Sequence, residues 1–355
     1  MSVKSLIYDS RDKIDIDFMP TLAFLFFDST NQELIFKCVN HLKSINPNIE
    51  IVGVHGTKGN IISQIPFVIN SSQISVMLFS VKNFFVETFD IVDFQKLKEN
   101  FIKSYNKFNS SSVIAFFPVE FDTNYFLDRI QERQNITNVF GGVYSNNACG
   151  CFGKENFYND KLLAVFFDNS EIEFCSKAIH GWKPIGNKLR VTKSYKNIVY
   201  KIDDEDALKV VEEYIGEIKQ ENIEKFLHPF CVNHDNNKSL ASIKSINRED
   251  NSIQFFKYIY EGEDVRIAIP TNQHNMMKLI EDELKHIKCD GAFMFSCVGR
   301  YAYYGDLIEF EIAKLSKYIQ FAGFFTFGEV GSSSTTHRPI LQNQTMNLVF
   351  FKEKN

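Results

Sequence analysis

The feature that most constrains the fold of this chain is a pattern of strands, helix and glycine that occurs three times. Each copy has an apolar strand, an amphipathic helix, a second strand that ends in glycine, and a third apolar strand. The copies begin at TLAFLFFD (21–28), SVIAFFPV (112–119) and GAFMFSCV (291–298). The first strand and the glycine are about 30 positions apart in each copy, a length that suits a right-handed βαβ crossover, as measured from Leu22 to Gly53, from Val113 to Gly141 and from Ala292 to Gly323. The pattern predicts an α/β (mixed α+β) fold of repeated β-α-β-β units, with mixed sheets flanked by helices.

The pattern changes between the second and third copies. GWKPIG (181–186) is rich in turn residues and holds the only Trp of the 355-residue chain. Alternating strand segments, a helix over 205–219 and a hairpin that turns at NREDNS (247–252) follow it. These features predict two closely packed domains, at 18–178 and 196–352, connected by a joint at 179–195. No stretch is long or simple enough to predict a flexible tether between them.

Composition and charge narrow the class of protein. The net charge is −5, which argues against a nucleic-acid or anionic-membrane surface because both favour basic patches. No window approaches the roughly 18 apolar residues of a membrane span. Seven irregularly spaced Cys and an N-terminus without a secretory h-region favour a reducing compartment, so we expect a cytoplasmic protein.

Metal and catalytic motifs are not found in the sequence. CGC (149–151) lacks the second Cys pair or the H-x₃-H of a zinc site, so we expect neither a metal nor a cofactor. GVHGTKGN (53–60) does not have the glycine spacing of a dinucleotide-binding loop. There is no G-x-S-x-G elbow, no G-K-[ST] phosphate loop and no H-E-x-x-H.

Cys297 ends a predicted strand in FSCVGR (295–300), where ligands of open α/β sheets gather. Three interpretations stay open for it: a catalytic thiol, a residue that lines a ligand pocket, or a buried core residue. A catalytic thiol needs a base, and nothing in the sequence pairs a His with it. Asp306 and Glu309 have the spacing of a capping box, which predicts that the next helix starts too far away to activate the thiol.

Arg300 and Glu329 are the charged candidates at this predicted sheet edge. Arg300 could hold a carboxylate bidentately or form a structural salt bridge, for example with Glu329. Glu329 lies between two glycines in GFFTFGEVG, where it could bind an ammonium group, act as an acid or base, or pair locally. Together they would suit an amphoteric ligand such as an amino acid. His180 and Trp182 adjoin the predicted joint, where they could line a cleft or pack between the domains.

Several motifs of the chain resemble those of the FIST family, sensory proteins with paired FIST N and FIST C domains. The resemblance runs from about Thr21 to Phe350 and is carried by HGWKPIG, VTKS, GAFMFSCVGR, AGFFTFGEVG and LQNQT. In the first copy, GVHGTKGN keeps the glycines of the family pattern without its Glu. The resemblance implies an intracellular sensory module of signal transduction that binds a small ligand, with amino acids the usual proposal. Such modules work with kinase, cyclase or chemotaxis components.

The resemblance and the residues together lead to one expectation for function. We expect a stand-alone cytoplasmic sensor, because the two FIST-like domains account for the chain, and it would signal through a separate partner protein. We expect no catalytic residues and no nucleic-acid or membrane partner. The ligand pocket would be lined by Cys297, Arg300, Gly328, Glu329 and Asn343, with His180 as a further ligand-binding residue. The alternative is an enzyme that uses Cys297 or Glu329 in the same pocket.

Overall fold

Three parallel strand pairs organise the fold in the computed structural model. The structure describes residues 1–9, 14–28, 31–56, 59–65, 72–132, 136–145, 149–219, 228–234, 237–271, 273–285, 287–332 and 338–354. The first unit consists of β1 (Ser2–Tyr8), β2 (Leu22–Phe27), α1 (Gln32–Ile45), β3 (Glu50–His55), β4 (Asn60–Ile62) and β5 (Ile74–Ser80). The second unit consists of β6 (Phe84–Asp90), α2 (Phe94–Tyr105), β7 (Ser111–Pro118), α3 (Thr123–Gln131), β8 (Val139–Tyr144), β9 (Cys151–Gly153), β10 (Asn156–Tyr158) and β11 (Lys161–Asp168).

The third unit is interrupted by an insert. It begins with β12 (Ile172–Ile179). The insert follows with β13 (Trp182–Pro184), β14 (Leu189–Tyr195), β15 (Ile198–Ile202), β16 (Glu205–Asp206), α4 (Ala207–Ile215), β17 (Phe230–His234), β18 (Asn237–Ala241), β19 (Ile243–Asn247), β20 (Ser252–Phe255) and β21 (Asp264–Pro270). The unit resumes with α5 (Gln273–Leu284), β22 (Gly291–Cys297), α6 (Val298–Tyr304), α7 (Leu307–Leu315), β23 (Phe321–Thr326), β24 (Glu329–Ser332), β25 (Pro339–Gln342) and β26 (Met346–Glu353).

The three units share one strand arrangement. The first strand pairs in parallel with the strand after its helical crossover, as β2 with β3, β7 with β8 and β22 with β23. The first strand also pairs antiparallel with the last strand of its unit, as β2 with β5, β7 with β11 and β22 with β26. The predicted fold class, a mixed α+β protein with mixed sheets flanked by helices, is confirmed.

Glycine allows a close backbone approach in the parallel pairs of the second and third units. Gly141 lies opposite Ala115 and Gly323 lies opposite Met294. A Cβ atom at either glycine would lie 1.8 Å from the carbonyl oxygen of that partner. Only glycine fits there, which explains why the glycines recur at similar spacing in the sequence.

A short strand from each unit crosses to the sheet of another unit. β4 of the first unit pairs with β23 of the third, β24 of the third pairs with β8 of the second, and β9 of the second pairs with β3 of the first. The exchange is cyclic, so every sheet is completed by a neighbouring unit. By register, Asn60, Glu329 and Cys151 occupy equivalent positions in the three exchanges.

Phenylalanine fills the centre, where the inner faces of the three sheets meet. The Phe24 and Phe293 rings lie 4.7 Å apart, and the Phe26 and Phe324 rings stack at 5.7 Å. Alternate residues of the strands face outward and pack against α1, against α2 and α3, or against α5, α6 and α7. Strand alternation therefore buries both faces of each sheet.

The insert has its own core, in which α4 packs on a sheet of order β18-β17-β21-β14-β15-β20-β19. The predicted hairpin at 247–252 is the β19–β20 turn, and the predicted helix over 205–219 is α4. The predicted joint at 179–195 coincides with the passage of the chain from β12 into the insert. The division into domains at 18–178 and 196–352 stays a prediction.

Candidate functional site

The predicted site residues meet where the sheet of the third unit touches that of the second. Cys297 ends β22, and Glu329 begins β24, which crosses to pair with β8. Gly328 precedes Glu329, and Asn343 lies in the loop between β25 and β26. We call this group, with Thr326 and Gln344–Asn347, the polar strand end.

Glu329 is a fully buried carboxyl group at the centre of the polar strand end. Its Oε1 accepts a hydrogen bond from the Thr326 hydroxyl at 2.8 Å. Its Oε2 accepts from the Thr345 hydroxyl at 2.8 Å and from the Thr345 backbone N–H at 3.3 Å. Burial raises the pKa of Glu329 to about 8, although these hydrogen bonds oppose the rise. The carboxyl group is therefore mostly protonated at pH 7.

Arg300 is also fully buried, and its partner is Glu311 of α7. The guanidinium donates to both Glu311 oxygens, at 2.9 and 2.7 Å, and to the Ser296 hydroxyl at 3.1 Å. Its carbon lies 5.6 Å from the centre of the Tyr304 ring. The interpretation of Glu329 as the salt-bridge partner of Arg300 was wrong, because α7 turns back over α6 and brings Glu311 closer. Most of the N–H donors of Arg300 thus bond to other side chains of the protein.

Cys297 is the residue before α6, which begins directly at Val298. The prediction of a distant helix start was wrong: Asp306 precedes α7, and Gly305, with φ of +54°, separates it from α6. Burial, reinforced by Glu329, nevertheless raises the pKa of the Cys297 thiol well above its usual range. The thiol stays protonated at neutral pH, which removes the main requirement for a nucleophile.

Several buried amide side chains lie close in sequence to Thr345, the residue that donates to Glu329. Within the described residues, no hydrogen-bond donor reaches the side-chain oxygens of Asn343, Gln344 and Asn347. All three side chains are at least 97% buried. The Asn347 amide nitrogen donates to the Val330 carbonyl at 2.8 Å, whereas the oxygen of the same amide group has no donor among these residues. A buried acceptor without a donor costs about 1–3 kcal/mol, so this cluster is suited to a ligand that supplies donors.

Gly328 and His180 are the remaining residues of the predicted site. The Gly328 carbonyl accepts from the Val143 N–H at 2.9 Å, which connects the cluster to the second unit. His180 is half-buried at the end of β12, directly after Ile179. Ile179 pairs with Met346, which pairs with Ser296, so His180 belongs to the same sheet edge as Cys297. The Trp182 ring packs against that of Tyr303 of α6, with centres 4.9 Å apart, and so connects the insert to the third unit.

Sequence reasoning missed Glu311, Thr326, Thr345, Gln344 and Asn347. Glu311 carried a signal, because it directly precedes Ile312 on the apolar side of α7, where an unpaired charge is costly. The two threonines lie in the motifs AGFFTFGEVG and LQNQT, but nothing in these motifs shows that both contact Glu329. Thr326 ends β23, and Thr345 lies in the loop before β26.

Two known domain families match most of the chain. Residues 21–205 match the FIST N domain, and residues 207–332 match the FIST C domain. No match is found among curated proteins. None of the helices in the described ranges has the length and apolar character that a membrane crossing requires. Likewise, among these residues no three His, Cys, Asp or Glu side chains are grouped to hold a metal ion.

Proposed function

This chain belongs to the FIST family, and from that premise we propose that it binds a small ligand at the polar strand end and signals the binding to a partner protein. FIST domains are taken as sensory, small-ligand-binding modules of signal transduction. The proposed ligand residues are Cys297, Arg300, Gly328, Glu329 and Asn343, with His180 at the edge. A cytoplasmic location and a separate kinase, cyclase or chemotaxis partner are part of the same proposal.

The observation that carries the proposal is the group of buried acceptors on the chain segment that hydrogen-bonds Glu329. Three amide oxygens without a donor in the described part of the chain lie within two residues of Thr345, which donates to the buried Glu329 carboxyl group. An ammonium group offers three donors and a positive charge, which would satisfy the oxygens and favour the ionised carboxylate. Free amino acids carry such a group, so we propose them as the ligand class. Because Arg300 is bonded to Glu311, the contact that matters most is that of Glu329 rather than that of Arg300.

Burial of the site gives the proposed sensor its mechanism. Glu329 is fully enclosed, so a ligand can reach it only in a conformation in which β24 or the Asn343–Thr345 loop has moved. A ligand that binds this open conformation increases its population. β24 belongs to the sheet of the second unit, so its displacement would change how the second and third units pack. A partner that recognises one arrangement would then respond to the ligand.

Thermal unfolding in the presence of individual L-amino acids tests the proposal. A ligand at 100 times its Kd stabilises the folded state by about 2.7 kcal/mol, which raises the unfolding midpoint by a few degrees. Glu329→Gln should abolish the rise, and Glu213→Gln, an exposed Glu on α4, is the matched control. If no amino acid stabilises the unsubstituted protein, or if Glu329→Gln responds as that protein does, ammonium recognition at Glu329 is wrong.

The alternative function is an enzyme that uses Cys297 or Glu329. The FIST family is a sensory family and is not known as an enzyme family. The raised pKa of the Cys297 thiol disfavours a nucleophile, whereas a Glu with pKa of about 8 is compatible with acid–base chemistry. We therefore keep Glu329 as the residue on which an enzymatic role would depend. Mass spectrometry of the stabilising amino acid after incubation with the protein would detect its chemical conversion and so reveal an enzymatic role.

A further inference from the structure

A cleft lies between the insert and the second unit, away from the polar strand end. Its volume is about 290 Å³, and it adjoins a second cavity of about 260 Å³ that shares Asn124, Tyr258 and Leu341 with it. One wall is α3, the opposite wall is the insert at 257–263, and β25 forms the floor. This is the size of a pocket for a small metabolite, and junctions between folded units are common places for ligands.

Hydrogen bonds of tyrosines hold the two walls together. The Tyr260 hydroxyl of the insert donates to Asp128 of α3 at 2.6 Å. The Tyr258 hydroxyl donates to Asp122, which also caps the N-terminus of α3 through the Tyr125 N–H. These bonds fix the width of the cleft, so its charged groups are held in place before any ligand arrives.

Opposite charges line the cleft in equal numbers. Lys257 and Arg338 are cationic, and Asp128 and Glu263 are anionic. The Lys257 ammonium donates to the Ser239 hydroxyl at 2.7 Å, which leaves further protons for other acceptors. Although Asp128 is exposed and Lys257 is half-buried, partial desolvation raises the pKa of Asp128 and lowers that of Lys257 to about 8, and both carboxylates oppose the change at Lys257. Charged groups in a cleft with pKa values shifted by burial are typical of a functional site.

We propose that this cleft is a second ligand site, for a small zwitterion whose carboxylate pairs with Lys257 and Arg338 and whose ammonium lies between Asp128 and Glu263. An anion alone would meet two carboxylates, and a cation alone would be repelled by Lys257. A zwitterion meets the opposite charge at each of its ends and leaves the net charge of the cleft unchanged. Leu127 and Leu341 provide apolar contact for a short carbon chain between the two charges.

Binding here does not depend on the ligand proposed for the polar strand end. The two sites share no residue, and only β25 contributes to both: its Leu341 lines the cleft, and its Gln342 pairs with Glu329. A variant at one site therefore tests that site alone.

Three probes of equal chain length test the proposal: 5-aminovalerate, pentanoate and pentylamine, titrated against the full chain by calorimetry. We expect 5-aminovalerate to bind at least about tenfold more tightly than either single-charge analogue, because each charge-assisted contact contributes that much or more. Lys257→Met and Asp128→Asn should each weaken its binding by about tenfold or more. The exposed Lys317→Met and Asp160→Asn variants are the matched controls. In Glu329→Gln, which removes the ammonium contact proposed for the polar strand end, the binding that depends on Lys257 and Asp128 should persist.

The proposal is overturned by no heat with 5-aminovalerate, by equal affinity for a single-charge analogue, or by unchanged affinity in Lys257→Met. Thermal unfolding of each variant checks that it is folded. If a variant is unfolded, the milder Lys257→Gln replaces it, with the same tenfold weakening expected. Loss of 5-aminovalerate binding in Glu329→Gln alone would place the ligand at the polar strand end and would also refute a site in the cleft.

Discussion

The buried ion pair between Arg300 and Glu311 gives the sharpest prediction about stability. Both side chains have no exposed surface, and two hydrogen bonds of 2.9 and 2.7 Å join them. Two unit charges about 4 Å apart attract each other by about 4 kcal/mol at an effective dielectric constant of about 20. Replacing Glu311 with Gln removes that attraction and leaves the guanidinium buried without a counter-charge. We expect Glu311→Gln to lower the free energy of unfolding by about 3–5 kcal/mol.

The loss of stability in Glu311→Gln should come from the Arg300 charge that is left buried and unpaired, rather than from loss of the ion pair itself. The double variant Arg300→Met with Glu311→Leu removes both charges and keeps the volume, so its free energy of unfolding should stay within about 2 kcal/mol of that of the unsubstituted protein. The exposed pair Lys285–Asp282, at 2.9 Å, is the control. Asp282→Asn should cost less than about 1 kcal/mol.

Urea unfolding followed by Trp182 fluorescence and by circular dichroism measures these differences. Trp182 is a local reporter because its ring lies 4.9 Å from that of Tyr303, on the same helix as Arg300. Coincident transitions by the two methods would justify a single free energy of unfolding. The reasoning is refuted if Glu311→Gln costs less than 1 kcal/mol, or if the double variant loses as much stability as Glu311→Gln does.

Three further predictions concern the polar strand end and the glycines. The pKa of Glu329 is about 8 in the folded protein and about 4.5 when unfolded, so its contribution to stability is full below pH 4.5 and is lost as pH rises to 8. Unfolding at several pH values should show a decline on the order of 4 kcal/mol across that range relative to Glu329→Gln, and parallel curves would contradict it. Iodoacetamide at pH 7.5, with peptide mapping, should label exposed Cys175 well before Cys297, and rapid labelling of Cys297 would instead support a reactive thiol. Gly323→Ala should cost several kcal/mol because its Cβ would clash with a backbone oxygen, whereas Gly186→Ala, with open space and φ of +70°, should cost about 1–2 kcal/mol; equal midpoints in thermal unfolding would refute the close approach.

The sequence predicts the parallel strand pairs well because their signals are local. Apolar strands, amphipathic helices and the glycines at 53, 141 and 323 each reflect the packing within one unit. The cyclic exchange of strands could not be predicted. β4, β9 and β24 have three or four residues each and pair with a different unit, so no periodicity in their own sequence identifies their partners.

Part of the candidate site could be predicted because its signals are also local. Cys297, Gly328 and Glu329 follow strands of one unit, so their meeting at one sheet edge could be expected. The choice of Glu311 over Glu329 as the partner of Arg300 depends on how α7 folds back on α6, which no short motif encodes. The cleft combines side chains from α3, β25 and the insert, regions more than 70 positions apart in the chain. Only the tertiary structure brings them together.

Proton release on ligand binding tests most directly whether Glu329 recognises an ammonium group. The measurement is calorimetry at pH 7 with the most stabilising amino acid, in phosphate and in Tris, whose heats of ionisation differ. Because Glu329 is mostly protonated before binding and ionised in the proposed complex, we predict release of close to one proton per ligand. Glu329→Gln should release none. Equal heats in the two buffers for the unsubstituted protein would contradict recognition of the ligand by Glu329.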